Sequence, residues 1–213
     1  MGSSDSGMFW VIVLVIGFVL VVGVIVFLMM RGRAKKLSGL AAARGLRYTK
    51  RDDAKLGQFG GELYALNVVE GERNGRPFVV YDSTRTQEDD EGGTSKSVAV
   101  VAVGTGRRVP DVRCVRRKGL FGGNRGVQTG DPDFDKRFTT TASDGGFAAA
   151  VLTPPVRQLL LAGKVRWFAC RGDAVVLCTD GKYPPAGLDG VVDRGFGLAG
   201  AIDPSVWDRL PPA

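Results

Sequence analysis

The chain has 213 residues with 29 Lys and Arg against 22 Asp and Glu, a formal charge of +7, three cysteines and no histidine. Without histidine the chain has no Ser-His-Asp or Cys-His nucleophile arrangement, no HExxH metal site and no His-containing zinc site. Three cysteines, Cys114, Cys170 and Cys178, form an odd set without short paired spacing. They read as reduced, buried thiols of a cytoplasmic domain.

The N-terminal residues 1–7 carry one acid and no base, and read as a short extracytoplasmic tail. From Met8 to Met30 every residue is uncharged and almost all are apolar. At about 1.5 Å of rise per residue this run reaches about 34 Å, against a hydrocarbon core of roughly 30 Å. It therefore predicts one transmembrane helix over 8–30. A cleaved signal peptide needs a basic start, a shorter apolar core and a small-residue cleavage site, which this segment lacks.

Residues 31–51 follow as a basic juxtamembrane segment, with Arg31, Arg33, Lys35, Lys36, Arg44, Arg47, Lys50 and Arg51 and no acid. By the positive-inside rule the N-terminus lies outside the cell membrane and the C-terminal domain lies in the cytoplasm. Arg31, Arg33, Lys35, Lys36, Arg44 and Arg47 are the candidate contacts to anionic lipid headgroups, each such charge worth about 1 kcal/mol near the surface. This collar accounts for the high pI. The rest of the chain is close to neutral, so nucleic acid is not an expected partner.

Residues 52–213 are long enough for one domain with a real core and short for two. Arg33 to Gly45 continues as helix, with Gly45 as its stop. A short helix after Asp52 and Asp53 places Leu56 and Phe59 on one side. Strands follow over Leu63–Val69 and Pro77–Thr84, joined by a tight turn at Asn74-Gly75. The acidic loop Glu88–Glu91 reads as a solvated tip before a strand over Ser95–Val103. Asp111–Gly119 alternates apolar and basic residues like an edge strand, with Arg113, Arg116, Arg117 and Lys118 turned to water or headgroups.

In Gly130–Ala162, Asp131, Asp133 and Asp135 stand at alternate positions, so a strand there turns all three to one face. The spacing is that of a calcium loop, but Lys136 replaces the required Gly and Ala142 the closing Glu, so no metal is expected. Ser143 and Thr153 are candidate helix caps, the second followed by Pro154 and Pro155. Val165–Cys170 and Ala174–Asp180 read as a hairpin turning over Arg171-Gly172-Asp173. The GFGLAG of Gly195–Gly200 lacks the strand before and the acid after that a dinucleotide fingerprint needs, and reads instead as part of an amphipathic helix closing the domain. No cofactor is expected.

The succession GDPDFDKRF, AVLTPPVRQLLLA and VRWFACRGDAVVLCTDG resembles the bacterial domain of unknown function family three-one-three-seven. Phe134, Phe138, Leu152, Thr153, Pro154 and Leu160 carry the resemblance, which spans about Val79 to Asp180 and departs at Asp135 and Pro155. It implies a membrane-associated domain and no established chemistry. The sequence thus points to an α+β domain, a mostly antiparallel sheet with a few packed helices, behind one N-terminal transmembrane helix. The expected function is a non-catalytic interaction or scaffold module at the cytoplasmic membrane face, with the lipid bilayer and a membrane protein as partners. The alternatives are an anionic-lipid sensor, and a membrane-bound enzyme using Asp131, Asp133 and Asp135 as its carboxylates.

Overall fold

The computed structural model describes residues 5–61, 63–87, 94–117 and 126–213. Its architecture is α+β around an antiparallel sheet of six strands. The elements run α1 (Asp5–Ala43), β1 (Arg47–Arg51), α2 (Ala54–Phe59), β2 (Leu66–Arg73), β3 (Arg76–Gln87) and β4 (Thr94–Arg116). Then come α3 (Pro132–Arg137), β5 (Phe138–Ala142), α4 (Gly145–Val151), α5 (Pro154–Ala162), β6 (Val165–Asp180), a 3-10 turn (Pro185–Gly187), α6 (Leu188–Gly200) and α7 (Pro204–Asp208).

The strand order is β1-β2-β3-β4-β5, and β6 pairs with β4 on the side away from β3 and β5. The Asn74-Gly75 turn forms as expected. Both residues take left-handed φ, 53° and 73°, and Arg73 pairs with Arg76 across a two-residue loop, the geometry whose twist matches the flanking strands. Gly45 ends α1 at φ 68°, as its position just past a helix demands.

Several local expectations are corrected. β6 is one strand through Arg171-Gly172-Asp173, with no hairpin. Gly172, at φ 62°, faces a register shift in β4 between Gly104 and Val112, so the left-handed glycine serves an irregular step in a continuing ladder instead of a reversal. β4 likewise merges the two strands expected over Ser95–Val103 and Asp111–Gly119. Its second half is interior, paired with β5 on one side and β6 on the other. Asp131 to Asp135 do not form a strand: Asp131 caps α3 by accepting from Phe134 N–H at 3.1 Å, with Pro132 at the first helical position, where its missing N–H leaves no unmet bond.

The sheet has two unequal faces. One face packs Val69, Val80, Val101, Phe138, Phe168 and Leu177 against the foot of α1 (Leu37, Ala41) and α3 to α7. Helix α6 comes close here because Gly195 has no side chain: a Cβ would meet Val101 Cγ2 at 2.8 Å. The other face packs Val68, Val79, Tyr81, Val100 and Val176 under the short helix α2 through Phe59 and Leu56.

The transmembrane helix expected over 8–30 is corrected as well. Among the described residues no helix is long and apolar enough to cross a membrane. Helix α1 carries the apolar stretch on into the domain without a break, ending at Ala43. Within that stretch Leu14 is 72% exposed and Phe18 70%. Residues 31–51, read as a segment apart from the domain, supply Leu37 and Ala41 to the core and the whole of β1 to the sheet.

Candidate functional site at the junction of the apolar helix and the sheet

Strand β3 alternates Phe78, Val80 and Asp82 toward the face that receives α1, so the pleat turns a carboxylate into a position an apolar residue would normally take. Asp82 is 2% exposed. A buried carboxylate persists only with partners, and three donors meet it: Arg33 Nη1 at 2.6 Å, Arg33 Nη2 at 3.2 Å and Asn67 Nδ2 at 2.9 Å. The fork of the guanidinium on the two carboxylate oxygens fixes direction as well as distance.

Asn67 is the hub of the cluster. It stands at the register shift in β2 between Leu66 and Val69 with φ 52°, a left-handed conformation that asparagine tolerates better than a branched residue. Its Oδ1 accepts from the Tyr48 hydroxyl at 3.0 Å, and its backbone carbonyl accepts from the Tyr183 hydroxyl. Arg33 also donates to the Tyr183 carbonyl and lies 5.3 Å from the centre of that ring. Burial pushes both phenols up, Tyr48 and Tyr183 alike, so they act as neutral donors at any physiological pH. Five side chains from α1, β1, β2, β3 and the segment after β6 therefore close one polar network at the base of the apolar helix.

Arg44 pairs with Asp189 of α6, and Arg47 lies 3.4 Å from Glu70, which also takes Lys55 at 2.6 Å. Lys35 and Lys36 are exposed on α1. The Arg31 side chain, Lys118 and the acidic loop Glu88–Glu91 lie outside what the structure describes. The three aspartates part company: Asp131 receives Arg157 Nε at 3.0 Å, the Asp135 carboxylate receives Thr129 N–H at 3.1 Å, and Asp133 is exposed. The bond from Phe134 N–H, then Arg157, holds the Asp131 carboxyl below the usual range. Among the described residues no group of three or more Cys, Asp or Glu could hold a metal ion.

Sequence reasoning passed over Asp82, Asn67, Tyr48 and Tyr183. Two polar residues set into the apolar strands LNVV and FVVYDS were the available signal. Their partner, Arg33, sits 49 positions before Asp82, and no local pattern joins the two.

An antiparallel sheet locked to a protruding apolar helix through a buried ion pair defines an α+β helix-bearing domain. No family model matches the chain, and no curated protein matches it. Among solved structures it is similar to the mycobacterial trehalose monomycolate transport factor A, TtfA, with a TM-score of 0.53 and 14% sequence identity, over 86% of this chain and 98% of that one. At this identity the likeness is one of fold.

Proposed function

We propose that the chain is a non-catalytic interaction module at the cytoplasmic face of a bacterial cell membrane, presenting its sheet and loops to a membrane-protein partner. The observation that carries this reading is the Arg33–Asp82 pair at the foot of α1. It joins a helix with exposed apolar residues from Leu14 to Val24 to the centre of the sheet, so whatever apolar surroundings receive the helix also set the pose of the domain. Exposed apolar surface on this scale marks an interaction site. A fold shared with a transport factor is in keeping with an accessory role.

Recognition of anionic lipid by the basic collar is the second reading. It is weakened by the engagement of Arg33, Arg44 and Arg47 with Asp82, Asp189 and Glu70, which among the described residues leaves Lys35, Lys36 and Lys50 as its exposed charges without a carboxylate partner. The test is chemical crosslinking of the full chain in native membranes followed by mass spectrometry, with a chain ending at Lys36 as control. The module reading expects a membrane protein captured by the full chain alone. Equal capture by both chains, or capture of lipid only, would overturn it.

A further inference from the structure

The sheet face opposite α1 holds a groove of about 340 Å³ between α2 and the second half of β4, β5 and β6, at the small end of the range typical of ligand sites. Leu56 and Phe59 of α2 form one wall and Trp167 of β6 the other. Trp167 is held from both sides. A Cβ on Gly60 would come within 3.2 Å of its ring, at a φ of 103° that only glycine takes readily, and the Arg113 guanidinium lies 5.6 Å from its centre. The loop can approach the indole this closely because two glycines, Gly60 and Gly61, follow α2.

The polar lining has a definite charge. Arg113 and Arg171 reach the groove from β4 and β6, and Asp111 is the one acid among its lining residues. Among the described residues neither arginine has a carboxylate partner within salt-bridge distance. By contrast Arg33 and Arg157 are matched by Asp82 and Asp131, while Arg76 and Arg116 donate to the backbone carbonyls of Gly104 and Val165. Two fixed positive charges against one negative leave an excess of one.

We infer that this groove is a binding site for a monoanionic, single-chain amphiphile, its head on Arg113 and Arg171 and its apolar chain along Leu56, Phe59 and Trp167. Guanidinium groups stay charged at all relevant pH and match a carboxylate or phosphate geometrically. The apolar walls repel a free inorganic anion, and the small volume excludes a two-chain lipid drawn in whole.

The test is isothermal titration of the full chain, kept soluble by an amphipathic polymer in place of detergent, with dodecanoate below its micellar concentration. Dodecanol and dodecyltrimethylammonium are the comparison ligands, and vesicles of anionic phospholipid form a separate arm. The inference expects saturable binding of dodecanoate, at least about tenfold weaker for the other two, and a loss of about tenfold or more in R113Q/R171Q. Both arginines are exposed, so the variant should melt like the parent, and W167A should weaken binding of all three ligands. Non-saturable uptake, equal affinity for the alcohol, an R113Q/R171Q variant that binds like the parent, or binding confined to vesicles would each overturn it.

Discussion

Replacing Arg33 by Met removes the guanidinium from Asp82 while keeping an apolar stem of similar length. Among the described residues Asp82 then keeps only the Asn67 amide, 2.9 Å away, for a carboxylate buried to 2% exposure. Removing one partner of a buried ion pair costs about 3–5 kcal/mol, because the remaining charge is uncompensated. For a domain of this size each kcal/mol corresponds to roughly 2–4 °C in Tm, so a fall of about 10 °C is expected in thermal unfolding of the full chain followed by tryptophan fluorescence. The double variant Arg33→Met with Asp82→Leu removes both charges together and should recover most of the loss, since an apolar pair often equals a buried ion pair in stability. The residue of the loss, on the order of 1–2 kcal/mol, reflects the unpaired Asn67 amide. A single variant that melts within about 1 kcal/mol of the parent, or a double variant no better than the single one, would refute the claim that this pair holds the helix to the sheet.

The three thiols offer a second check. Burial pushes Cys114 up to about 11 and Cys170 higher still, and all three cysteines are buried, so the native chain should react with a thiol reagent at pH 8 only after denaturant is added; one fast equivalent would contradict this. Acid stability follows from Asp131, Asp53 and Asp203, whose carboxyls are held low by bonds from Phe134 N–H, from Arg51 and from Ser205 N–H in turn. A depressed folded value contributes stability that is present above the unfolded value near pH 3.9 and lost as pH falls through the folded value. Asp131→Asn should therefore flatten the acid limb of a pH-melting curve, and an unchanged limb would remove Asp131 from the account. Gly195→Leu places bulk against Val101 and Val103 and should cost about 1–3 kcal/mol by overpacking, whereas Gly197→Leu on the same helix, with open space around it, should cost less. Gly75→Val forces a branched residue into φ 73° and should cost about 1–2 kcal/mol, measurable in urea.

What the sequence made legible is what short-range physics decides. The Asn74-Gly75 turn, the Gly45 helix stop, the pairing of Leu56 with Phe59 on α2, and the reading of GFGLAG as helix all rest on neighbours within a few residues. The misreadings share a cause. Arg171-Gly172-Asp173 looks like a reversal locally and residues 104–110 like a break between two strands, yet each finds a ladder partner in the other, and tertiary pairing overrides turn propensity. Asp131 and Asp135 were read at strand period, but Pro132 and the Asp131 cap start a helix there, so the three carboxylates diverge. The polar junction was least legible of all, because Arg33 belongs by composition to a basic collar and acquires its role only where β3 brings Asp82 beneath it.

The pose of the domain depends on a rigid joint between α1 and the sheet. Spin labels at Lys36 on the exposed side of α1 and at Asp208 on α7 give a distance distribution that reads this joint directly in the full chain. A single narrow distance in the parent that broadens in Arg33→Met, and narrows again in the double variant with Asp82→Leu, is the predicted result. A broad distribution in the parent itself would mean that the helix swings free of the domain, and would contradict a module whose pose is set by its apolar helix.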